Sequence, residues 1–146
     1  MDSLKITTFQ AYLFWENCEK NLQNLALRLS AIREKTDLIV LPEMFNTGFS
    51  MNNEKLAEEM GGTTMQWMQQ QARKYEAVVA GSLIIKENDC FYNRLIWMRP
   101  DGTYEHYDKR HLFSLANEDD QFTPGNRKFY IDLHGWKICW WRIMAR

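Results

Sequence analysis

Two apolar runs constrain this chain more than any other feature. Residues 36–43 read TDLIVLPE and residues 77–85 read AVVAGSLII. A strand with one wet face alternates apolar and polar residues, but neither run does. Strands of this kind are covered on both faces, as in sheets flanked by other layers. The flanking segments supply the cover. Cys18, Leu22, Leu25, Ala26, Leu29 and Ile32 recur at three and four, the stripe of an amphipathic helix. Met65, Met68, Ala72 and Tyr75 repeat that spacing between the two runs, and Thr63 or Thr64 stands where a cap is needed. Buried strands separated by helices predict a layered α/β fold with some parallel pairing, because parallel neighbours need a crossover between them.

Other segments extend the pattern. Residues 4–10, LKITTFQ, alternate and are β-branched, which predicts a strand. Residues 88–90 form a turn, and residues 91–100 a further strand closed by PDGT. Residues 104–113 begin extended, residues 114–126 are a polar loop, and residues 128–139 read as two strands joined at His134 and Gly135. There is no repeat, no low-complexity tract and no linker, so residues 1–146 are taken as one domain.

Composition excludes several classes. A chain of 146 residues with 45% hydrophobic and 25% charged residues has the balance of a globular domain. A formal net charge of −1 gives no electrostatic reason to bind nucleic acid or an anionic membrane. Six tryptophans read as a large aromatic core rather than a stacking platform, since such platforms come with a positive groove. Cys18, Cys90 and Cys139 are widely spaced, which argues against a zinc site and against a disulfide framework. The N-terminus lacks the apolar stretch of a secretory signal, and no apolar run approaches the ~18 residues of a membrane span. A cytoplasmic location without membrane contact is the expectation. No glycine-rich phosphate loop follows a strand, so no nucleotide cofactor is expected.

Three stretches could carry chemistry. Glu43 sits just beyond the first buried run, at the kind of strand end where α/β sheets place ligands. It suits a general base, and an ordinary loop glutamate is the alternative. Lys109, in HYDKRHLF, could steady an oxyanion or simply be half of a solvated basic pair. Glu118, Asp119 and Asp120 resemble a calcium loop only at a glance, because the required ligand spacing is absent. His106, His111 and His134 have no spaced partner that would make a triad or a metal site.

Taken together, LPEMF with a following GF, then YDKRHLF, then an acid ahead of PG, then GWKI closely resemble the nitrilase superfamily of carbon–nitrogen hydrolases. The wording is nearest to its omega-amidase branch, from Leu4 to about Cys139. The resemblance implies an α-β-β-α sandwich that normally pairs with a second subunit; on the residue spacings above, no metal or cofactor is expected. It implies a small amide substrate, the terminal amide of a short dicarboxylic acid monoamide such as a 2-oxo acid amide. By position, Glu43 matches the general base, Lys109 the lysine that steadies the tetrahedral intermediate, and Glu118 the second glutamate that orients lysine and substrate.

The family's nucleophile is a cysteine in a segment resembling V-C-Y-D-L-R-F-P. Counting from GWKI it falls at position 143, where this chain has Ile143. The familiar pattern runs to Cys139 and gives way to WWRIMAR. A frameshift or premature stop after about residue 139 is therefore expected, which would leave the four-layer sandwich incomplete. An evolved domain boundary is the competing reading, although boundaries usually fall in polar linkers. Residues 135–139 read as a buried strand and Cys139 as a core residue. In a strand, positions 139 and 143 lie roughly 13 Å apart at about 3.3 Å per residue, too far to share one base. The expected function is an amidase by descent, with an inactive domain that at most binds a partner or ligand as the alternative.

Overall fold

In the computed structural model, which describes residues 3–139, the two apolar runs lie side by side inside a five-stranded sheet. Its order is β1 (Ile6–Thr8), β2 (Leu38–Val40), β3 (Val78–Glu87), β4 (Cys90–Met98) and β5 (Tyr104–Asp108). The first two pairings are parallel, with Ile6 beside Leu38 and Leu38 beside Val78. Crossovers through α1 (Cys18–Leu29) and α3 (Thr63–Tyr75) make them so. The later pairings are antiparallel and need only turns.

Both helices cover one face of this sheet. Leu22, Leu25 and Leu29 from α1, with Met65, Met68 and Ala72 from α3, bury against Ile39, Val79, Leu83, Ile85, Ile96 and Met98. Asn17 caps α1 by accepting the Lys20 N–H. The expected threonine cap on α3 is replaced. Gly62 is its N-cap residue and makes no side-chain bond. The Glu58 carboxylate accepts the Thr64 N–H at 2.8 Å and the Thr64 hydroxyl. An acid suits that position, because the helix dipole and free N–H groups favour negative charge there. Two polar stretches read as loops contain short helices, α2 (Asn53–Leu56) and α4 (Glu118–Gln121), with a 3-10 turn (Ser114–Ala116) ahead of α4.

The opposite face presents Leu38, Val78, Ala80, Leu95, Trp97 and Tyr107. Phe129 and Ile131 bury against it, carried by and beside a hairpin of β6 (Tyr130–Leu133) and β7 (Trp136–Cys139). His134 and Gly135 turn this hairpin with φ of 53° and 81°. Positive φ at both central residues is the two-residue turn whose twist matches the strands, so the His-Gly junction was correctly placed. Helices, main sheet and second sheet are thus stacked as an α/β sandwich. One expectation fails here. Trp136, Lys137 and Cys139 are exposed, so β7 is not a buried strand and Cys139 is not a core residue. Among the described residues β7 pairs with β6 alone, and only Ile138 turns towards the apolar layer. The Ile143 position lies outside the described residues.

Candidate active site

The turn after β2 is anchored before any charged group is considered. Leu41 N–H donates to the Ala80 carbonyl and prolongs the strand pairing by one residue. Met44 then adopts φ of 46°, left-handed for a residue that rarely visits that region. Its N–H donates to the buried Ser82 hydroxyl at 2.9 Å, and its carbonyl accepts from Thr47 and Gly48. Met44 and Phe45 are fully buried. Glu43 is therefore held between a strand end and a pinned turn, with its side chain 28% exposed.

Lys109 reaches the same place from β5. Its N–H donates to the Asn93 carbonyl at 2.9 Å, continuing the β4–β5 ladder. Its side chain is 2% exposed, and Nζ stands 2.8 Å from Glu43 Oε1 and 2.8 Å from Glu118 Oε2. Glu118, the first residue of α4, is fully buried and also accepts the Phe113 N–H at 2.7 Å. The Phe49 ring lies 5.1 Å from the Lys109 ammonium, within cation–π range. All three residues singled out from the sequence converge on one point. Asp119 and Asp120 beside them are exposed, as expected of a solvated turn.

Asn93 completes the constellation and was not anticipated. Its Nδ2 donates to Glu43 Oε1 at 2.7 Å and to Glu118 Oε1 at 2.9 Å. Asn93 lies on the same strand face as Leu95 and Trp97, and no spacing in the sequence marks it. Next along β4, Arg94 points to the other face and pairs with Asp108 and Glu87. Burial works against its charge, and the hydrogen bonds it donates to Asp108 and Glu87 outweigh that, so the guanidinium is held more firmly protonated than usual.

This arrangement has unused capacity. An ammonium has three donors, and two of those on Lys109 are committed. Glu118 accepts at both oxygens, whereas both bonds to Glu43 fall on Oε1 and none from the described residues reaches Oε2. Among the described residues, one Lys109 donor and one Glu43 oxygen are therefore left without a protein partner. None of the cysteines among the described residues joins them. Cys18 contacts Thr64 and Asn46, and burial pushes its thiol up from the usual range. Cys90 begins β4 beside Glu87, and Cys139 is exposed at the end of β7. His106, His111 and His134 are exposed. Among the described residues no cluster of His, Cys, Asp or Glu could hold a metal ion.

A partly parallel sheet with helices on one face and a second sheet on the other has the fold of a carbon–nitrogen hydrolase, and a carboxylate–lysine–carboxylate constellation stands at its strand ends. Residues 5–144 match that family, and the chain belongs to it. Among its relatives is an omega-amidase, YafV, of Yersinia enterocolitica, 36% identical over 94% of this chain and 53% of the relative. A 2-oxoglutaramate amidase of Bacillus subtilis is 28% identical over 92% of this chain and 55% of the relative. The crystal structure of a CN-hydrolase superfamily protein from Xanthomonas campestris, with an arsenic adduct in its active site, superimposes with a TM-score of 0.89 at 35% identity. That match covers 95% of this chain and 52% of the other. The chain spans about half the length of the curated relatives it matches. No helix among the described residues is long and apolar enough to cross a membrane.

Proposed function

We propose that this chain carries the base, the lysine and the second glutamate of an amidase-type carbon–nitrogen hydrolase. Its substrate class is the terminal amide of short dicarboxylic acid monoamides, 2-oxo acid amides among them. The observation that carries the proposal is Lys109 Nζ, buried and 2.8 Å from a carboxylate on each side. The names of the two amidase relatives support the substrate class.

In the proposed chemistry Glu43 Oε2 takes the proton of the family's cysteine thiol, which belongs at the position where this chain has Ile143, and the thiolate attacks the amide carbon. The carbonyl oxygen becomes an oxyanion and accepts the third Lys109 N–H, a preformed donor aimed where charge develops. Glu118 keeps Lys109 oriented. The tetrahedral intermediate collapses, the proton goes to the leaving nitrogen, and ammonia departs. Water then attacks the thioester with Glu43 again as base, freeing the acid and the thiol. Pairing with a second subunit belongs to the same proposal.

A second reading has its own observation. The position expected for the nucleophile is Ile143, whose side chain cannot form a thioester. On that ground the chain as it stands is inactive and at most binds ligand or partner. Ammonia release from short 2-oxo acid monoamides, measured for the wild type beside Glu43→Ala and Cys139→Ala, decides the matter. Equal background rates in all three are expected. Turnover abolished by Cys139→Ala would put the nucleophile at Cys139. Turnover lost only with Glu43→Ala would mean direct attack by water.

A further inference from the structure

We propose that Asn93 is a positioning residue: its amide holds the Glu43 and Glu118 carboxylates on either side of Lys109 and decides which oxygen of Glu43 stays open. The four side chains form a closed ring. Asn93 Nδ2 bonds Glu43 Oε1 and Glu118 Oε1, and Lys109 Nζ bonds Glu43 Oε1 and Glu118 Oε2. The ring holds two carboxylates and a single ammonium, so one negative charge is left over in a poorly hydrated place. Like charges that share one ammonium partner repel strongly where water is scarce. Asn93 meets that excess with two N–H dipoles directed at the two acids. It adds no charge and so leaves the lysine with both partners.

The orientation of the amide follows from the same electrostatics. Turned over, Asn93 would aim its carbonyl oxygen at two carboxylates, so the assignment with Nδ2 inward stands. Its Oδ1 is then buried and has no hydrogen-bond partner among the described residues. An asparagine present only to fill a core would have both ends satisfied. Here the donor end is fully used and the acceptor end is left unmatched. The carboxylates, rather than the surroundings, dictate how the side chain sits.

Geometry ties Asn93 to the lysine as well. The Lys109 N–H donates to the Asn93 carbonyl, so one residue fixes the base of the lysine by its main chain and the target of the ammonium by its side chain. The other charged groups nearby, Arg94, Asp108 and Glu87, bond one another on the opposite face of the β3–β4–β5 ladder. They do not compete for the ring. By occupying Oε1 of Glu43 jointly with Lys109, Asn93 leaves Oε2 as the free lone pair.

The consequence for hydrolysis rests on the amidase proposal above, but the test does not measure hydrolysis. Nitrogen-15 and carbon-13 spectra of the full chain would read the ring directly. In the wild type both Asn93 amide protons are expected to be protected from exchange, one shifting in Glu43→Gln and the other in Glu118→Gln. Asn93→Leu keeps the branched heavy-atom shape, removes the donors and also removes the unmatched carbonyl. If Asn93 merely filled space, that variant would leave the lysine–carboxylate contacts intact. We expect instead that the coupling between Lys109 Nζ and the Glu43 carboxylate carbon is lost and that exchange of the ammonium protons rises about tenfold, the scale of one hydrogen bond. A folded Asn93→Leu chain with unchanged coupling and exchange would overturn the inference while leaving the amidase proposal untouched. If Asn93→Leu does not fold, the wild-type spectrum decides, because rapidly exchanging Asn93 amide protons indifferent to Glu43→Gln and Glu118→Gln would equally overturn it.

Discussion

At the scale of single residues, Lys109 carries the site. It is buried between Glu43, which is partly exposed, and Glu118, which has no exposure. Losing the ammonium leaves a buried carboxylate without its counter-charge, and breaking a buried pair from one side costs about 3–5 kcal/mol. Lys109→Met is therefore expected to lower unfolding stability by about that amount in urea. Glu43→Gln, at the wetter end, is expected to change it by no more than about 1 kcal/mol. Equal stabilities for Lys109→Met and the wild type would contradict the ring as described. Glu43 and Lys109 were legible because each stands next to a strand in a distinctive string. Asn93 was not, since one asparagine within FYNRLIWM carries no spacing signal. Its partners come from the turn after β2 and from α4, far away in the chain.

At the scale of elements, the turn that presents Glu43 depends on β3. Ser82 accepts the Met44 N–H within a buried turn that already holds Met44 at positive φ. Removing the acceptor strands a buried donor, at about 1–3 kcal/mol. Gly81 is needed for a different reason. A Cβ there would meet the Phe45 ring at 2.7 Å and Leu41 Cβ at 3.0 Å. Overpacking of this kind costs about 1–3 kcal/mol. Ser82→Ala and Gly81→Ala are each expected to destabilise by those amounts, and thermal unfolding measures it. A pair of substitutions that both leave the melting temperature unchanged would show that the turn is not seated on β3. The strands and long helices could be read from periodicity, because burial on two faces or one face leaves different patterns. The short helices α2 and α4 span only one turn and leave no such stripe. The cap of α3 was misplaced for a related reason: Glu58 lies outside the helix and reaches it only in the folded chain. Exposure of β7 was also misjudged, since WKIC is apolar enough to suggest a core strand.

At the scale of the whole molecule, the chain sets two apolar faces of one sheet against different layers, and the charged ring stands where β2 and β5 lead out of it. The match to the carbon–nitrogen hydrolase family runs across almost all of the chain and about half of its relatives. The central claim is that Glu43, Lys109 and Glu118 are a competent amide-hydrolysing constellation and that Ile143 stands where its nucleophile belongs. The most direct measurement joins residues 1–139 of this chain to the part of the Yersinia enterocolitica omega-amidase that lies beyond the corresponding point in the match, and follows ammonia release from a 2-oxo acid monoamide. The fusion is predicted to be active, and Glu43→Ala or Lys109→Ala within it to remove most of the acceleration, on the order of 10⁶-fold for groups that act as a unit. A folded fusion without activity, or one whose activity survives both substitutions, would contradict the account.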